Sequence, residues 1–193
     1  MAMEDATQEH LENAEHAEHA AHEGNPFLTT VSVTIAVLAV MAATVGSFES
    51  LETADTINDK SEAAYLQNKA SDQWSFFQAK SLKKNLYTLA ADSAGPKADG
   101  YLAKAKHEGA DQDKAQDEAK KLEAESRRDQ ALSQLHENRH HRLTVGATLL
   151  EIGIAISTIA IITRKRWPWV ISAILGMAGA VVAASAYADL IGM

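Results

Sequence analysis

The chain has 193 residues, with a net charge of −8 and a pI near 5.4. So acidic a chain lacks the basic surface that phosphate contacts need, which argues against a nucleic-acid partner. The absence of cysteine removes disulfides, thiol catalysis and Cys-ligated zinc, and leaves the redox compartment open.

Residues 1–26 form an acidic, His-rich tail whose stretch EHLENAEHAEHAAHE carries Glu12-His16, Glu15-His19 and Glu18-His22 at i, i+4. With the acid on the N-terminal side, each pair supports a solvated helix by a few tenths of a kcal/mol when the His is protonated, at roughly 0.2–0.5 kcal/mol. A sharper reading makes His16, His19 and His22, with Glu12 or Glu15, ligands for weak divalent-metal binding. Successive members of that series turn by about 60° around a helix, so adjacent pairs could share an ion but all three could not converge. HAEH lacks the spacing of HExxH, so zinc-protease chemistry is not implied. The tail holds no Lys or Arg, unlike the basic start of a secretory signal.

Residues 27–48 (FLTTVSVTIAVLAVMAATVGSF) carry no charge and reach the roughly 20 residues a helix needs to cross a bilayer. Residues 49–142 are rich in Ala, Gln, Lys and Glu, a helical composition, interrupted by DSAGPKADG at 92–100. There Gly95-Pro96 and Gly100 are expected to make the turn of a long antiparallel, coiled-coil-like helical hairpin. Its first arm offers Leu66, Ala70, Trp74, Phe77 and then Leu82, Leu86 and Leu89 as one packing stripe. Trp74 and Phe77 are expected in the seam, and Phe76 as an outward anchor for another copy or partner. The second arm offers only Leu102, Ala119, Leu122, Leu132 and Leu135, so the seam should be thin and association with further copies its remedy.

His136, His140 and His141, with Arg139 and Arg142, precede the second apolar segment and are expected to reach lipid phosphates, with a His136/His140 metal pair disfavoured by the arginines. Residues 143–163 form that segment and contain Glu151, about 12 Å along from Leu143. An unpaired charged acid at that depth costs on the order of 3 kcal/mol, so Glu151 is expected to be neutral and hydrogen-bonded to Thr44, Ser185 or a backbone carbonyl. Residues 164–168 are a basic turn in which Arg164, Lys165 and Arg166 favour the cytoplasm. That puts the tail inside and the hairpin in the periplasm. Residues 169–191 make a third span, with Ser172, Gly176, Ala180, Ala184 and Ala188 as a small-xxx-small packing face.

ASDQWSFFQAKSLK at 70–83, the His-rich N-terminus, the span–insert–two-span layout and RKRW at 164–167 resemble a bacterial family of small membrane proteins known only as a domain of unknown function. The resemblance implies the architecture and a bacterial inner membrane, and no activity. The expectation is therefore an all-α membrane protein with three transmembrane helices and a helical hairpin between the first two. It would contact the lipid bilayer, form homo-oligomers, engage another membrane or periplasmic protein, use no cofactor beyond that weak tail metal, and act as a non-enzymatic scaffold. The competing class is a transporter or channel component, or a pH- or metal-responsive membrane protein, using Glu151 and the tail. Neither a phosphate loop nor a nucleophile constellation is present.

Overall fold

The computed structural model describes residues 25–188, and the tail ligands His16, His19, His22, Glu12 and Glu15 lie outside them. The described residues form three α-helices: α1 (Pro26–Ser93), α2 (Ala98–Thr163) and α3 (Arg166–Ser185). All three are long and apolar enough to cross a membrane. Asn25 caps α1, its Oδ1 accepting the Phe27 N–H at 3.0 Å, and Pro26 takes the first helical position, where its missing N–H costs nothing. No helix boundary falls at 48/49 or 142/143, because no glycine pair or proline interrupts either stretch.

The turn between α1 and α2 is tighter than the expected 92–100. Gly95 takes φ +52, a left-handed conformation that suits glycine, and a single 3-10 turn spans Gly95–Lys97. Gly100 lies inside α2 and breaks nothing. The basic turn is likewise shorter than 164–168. Arg164, at φ +54, and the extended Lys165 reverse the chain, while Arg166, Trp167 and Pro168 form the first turn of α3. Proline is tolerated there because the first N–H groups of a helix have no intrahelical partner.

The helices group into two compact units, one of residues up to 54 with those from 135 onward, the other of residues 55–134. In the first, Leu28, Val31, Ile35, Leu38 and Ala42 of α1 step by three and four against Leu143, Ala147, Leu150 and Ile154 of α2. That 3.5-residue spacing is the coiled-coil repeat. Small residues then bring α3 against α2: a Cβ on Gly146 would sit 2.9 Å from that of Ala183, and one on Gly179 would sit 2.8 Å from the Gly146 carbonyl oxygen. Ser157 and Ser172 share a buried hydrogen bond across the same contact, and Gly176 packs on Leu38.

The buried face of α3 is therefore Pro168, Ser172, Gly176, Gly179 and Ala183. This corrects the expected stripe. Steps of four residues drift by about 40° each around a helix, so Ala180 is only half-buried and Ala184 and Ala188 face outward. Steps alternating three and four stay on the partner.

The second unit pairs the remaining parts of α1 and α2. Its buried residues include Ala63, Leu66, Ala70 and Ala91 against Ala105, Gly109, Ala115, Ala119, Leu122, Ser126 and Ser133. Alanine and serine dominate because the helices lie close together; the Ser126 hydroxyl donates to the Ala63 carbonyl of the other helix at 2.8 Å. Leu82, Leu86 and Leu89 are 61%, 56% and 65% exposed, and Leu102, Leu132 and Leu135 are also turned outward, so these leucines are not the seam. Their place is taken by smaller or polar side chains at the same heptad spacing, among them Lys80, which is held between Glu108 at 2.9 Å and Asp111 at 2.8 Å.

Candidate functional site

The densest polar cluster among the described residues lies in the first unit. Continuing the α1 steps past Ala42 and Val45 reaches Glu49 and Glu52, and continuing the α2 steps back from Leu143 reaches His140 and His136. The heptad that buries leucine therefore buries carboxylates and imidazoles a few turns further on. Glu52 is 5% exposed. Its Oε2 lies 2.6 Å from Nδ1 of His136, and its Oε1 accepts the Tyr187 hydroxyl at 2.9 Å. One carboxylate thus joins α1, α2 and the residues just after α3.

Neighbouring groups brace the arrangement. The Thr144 hydroxyl donates to Glu49 Oε1 at 2.7 Å, and His140 Nδ1 lies 3.1 Å from the Thr53 hydroxyl. The Arg139 guanidinium sits 5.5 Å over the Tyr187 ring, against whose edge Phe48 packs at 6.0 Å. Arg142 donates to the Ser185 carbonyl at 2.8 Å. His136 and His140 are thus turned onto protein groups and away from the lipid phosphates expected for them, whereas His141 and Arg142 of the same cluster are exposed. The cause is the 3.5-residue repeat, which turns His136 and His140 inward.

The chemistry open to this cluster is limited. Among the described residues no group of three or more His, Asp or Glu could hold a metal ion. The carboxylate is covered by protein on every side that its partners occupy, so its role is to tie three helical segments together. Buried polar groups demand hydrogen bonding, and Glu49, Glu52, His136 and Tyr187 find it here, while the buried Nε of Arg139 has no hydrogen-bond partner among the described residues.

Other residues singled out from the sequence lie elsewhere. Trp74 and Phe77 stack edge to face at 5.4 Å and are half-buried, with the Trp74 N–H donating to Glu123 at 2.8 Å. Phe76 is 49% exposed, with the Lys80 ammonium 5.1 Å above its ring. Glu151 is on the outside of α2. The hydroxyls expected to meet it are used locally, Thr44 donating to the Val40 carbonyl and Ser185 to that of Val182. Arg164, Lys165 and Arg166 are exposed, with the Arg166 guanidinium 5.8 Å from the Phe27 ring.

Glu52, Glu49 and Tyr187 were not found from the sequence, although extending the 3.5-residue count past Val45 points to both acids. These features define the chain's class: an all-helical protein with three membrane-length apolar helices and a polar clamp joining them. Residues 27–189 match the model of the family described as "Domain of unknown function (DUF4337)", and the chain belongs to that family. No curated protein and no solved structure matched it.

Proposed function

We propose that this protein is a non-enzymatic scaffold of a bacterial inner membrane, which self-associates through its helical hairpin and its spans. In this reading residues 27–48, 143–163 and the α3 region cross the bilayer, Arg164, Lys165 and Arg166 stay in the cytoplasm, and the hairpin stands in the periplasm.

The observation that carries the reading is the exposed stripe Leu82, Leu86 and Leu89, on a helix pair whose own apolar seam is mostly alanine, with Leu66 and Leu122 as its buried leucines. Contiguous exposed leucines mark interaction surfaces, and the thin seam gives the hairpin reason to gain contacts from another copy. A transport pathway through a single chain has less support. At the depth of Glu151 the interior is filled by Leu38, Leu150 and Ile154, with the acid outside them.

The test compares the full chain with a Leu82→Ser, Leu86→Ser, Leu89→Ser variant in mild detergent. Burying one leucine contributes about 1.5–3 kcal/mol, so the triple change should weaken association by about a thousand-fold or more and lower the apparent mass. An unchanged mass would remove the stripe from any interface between copies.

A further inference from the structure

α3 covers one flank of the α1–α2 pair. On α2 the contact runs through Gly146 and Gly153, a Cβ on the latter lying 3.3 Å from the Ser172 carbonyl oxygen. Glu151 is two residues before Gly153, about 160° away around the helix, on the opposite flank. Around it Thr148 and Ala155 are exposed, and on α1 Ala36 and Ala43 are exposed too. Gly46 has nothing within 4 Å of where a Cβ would stand.

Among the described residues Glu151 has no hydrogen bond or ion pair. In hydrocarbon an ionised carboxylate would be unsolvated, and protonation would still leave an O–H with no acceptor. Lipid tails supply none. A helix at the same depth with a free acceptor would.

We propose that Thr148, Glu151 and Ala155 form the face on which a second copy of this chain docks, in the same orientation, across a two-fold axis normal to the membrane. The proposal rests on the membrane reading above. A two-fold axis brings each face to its own image at equal depth. Glu151 therefore meets Glu151 and, one turn along, Thr148 of the second copy. The Thr148 hydroxyl already donates to the Thr144 carbonyl at 2.8 Å, so its oxygen has lone pairs free to accept a hydrogen bond from the Glu151 side chain of the second copy. Thr148 and Ala155 are small beside Glu151, which favours close helix approach in lipid, and the exposed Ile152 and Ile159 border them on the same side of α2.

The chain contains no cysteine, so single cysteines report directly on proximity. The full chain with Ala155→Cys, oxidised in native membranes with copper phenanthroline, should give a disulfide-linked homodimer. Val181→Cys, on the exposed side of α3, should stay monomeric. Adding Glu151→Leu should reduce the Ala155→Cys dimer at least severalfold, whereas Glu151→Gln should preserve it, because the amide still hydrogen-bonds. Equal cross-linking at both positions, a product with another protein, no product at Ala155→Cys, or indifference to Glu151→Leu would each overturn the proposal. Alkaline extraction of the same membranes separates the two readings. Release of the protein would overturn membrane insertion itself, and retention without an Ala155→Cys dimer would overturn the docking face alone.

Discussion

Glu52 is buried with a twofold polar demand, since His136 and Tyr187 both bond to its carboxylate. Glu52→Ala removes one acceptor each from a half-buried imidazole and a half-buried phenol, and losing a buried hydrogen-bond partner costs about 1–3 kcal/mol each. The variant should lose roughly 2–4 kcal/mol, measured as a lower thermal midpoint of the helical circular-dichroism signal. Glu52→Gln should lose much less, because its amide accepts from Tyr187 and donates to His136. Equal stability of the alanine variant and the parent chain would show that the clamp does not hold these helices. Residue polarity alone assigns Glu52 to solvent, although the 3.5-residue register reaches it. Only the partner that it meets, 84 residues away, makes burial favourable.

At the scale of elements, the hairpin depends on seam positions where polar groups replace leucine. Asp111 is held below its ordinary value of 3.8, chiefly by the hydrogen bond from Lys80, which outweighs the opposing effect of burial. Lys80 is raised above 10.5 by its hydrogen bonds to Asp111 and then Glu108, again against burial. A depressed carboxyl contributes stability above pH 3.8 that is lost as pH falls through its lowered value. A raised ammonium contributes below pH 10.5 and loses that contribution as pH climbs through its raised value. Helicity of the full chain followed by thermal melts should therefore decline at both extremes, and Lys80→Gln should reduce both declines. Identical pH profiles for the two proteins would mean that the pair contributes nothing to folding. The expected leucine stripe failed at this scale for a packing reason. Helices that approach closely enough for Ser126 to reach the Ala63 carbonyl have no room for leucine at every seam position, so small residues go in and leucines go out.

For the whole molecule, the proposed orientation rests on the short basic turn, where Lys and Arg bias topology most, against a long hairpin that translocates largely regardless of charge. Ser93→Cys, beside the turn at Gly95–Lys97 and exposed, should react with a membrane-impermeant thiol reagent applied to spheroplasts. Reaction only after lysis would invert the topology, putting the basic turn and the hairpin on exchanged sides.

Helix and turn placement were legible from local chemistry. Apolar runs of sufficient length, the Gly95-Pro96 break and the motif at 70–83 need no distant partner to be read, because apolar length and backbone freedom belong to each segment alone. Which face of each helix is inside was settled by the fold. Glu52 meets Tyr187 across 135 residues, and Gly179 and Ala183 displace Ala180 and Ala184 from the contact with α2. Burial of a side chain depends on the shape and hydrogen bonding of what lies opposite it, and that neighbour comes from elsewhere in the chain.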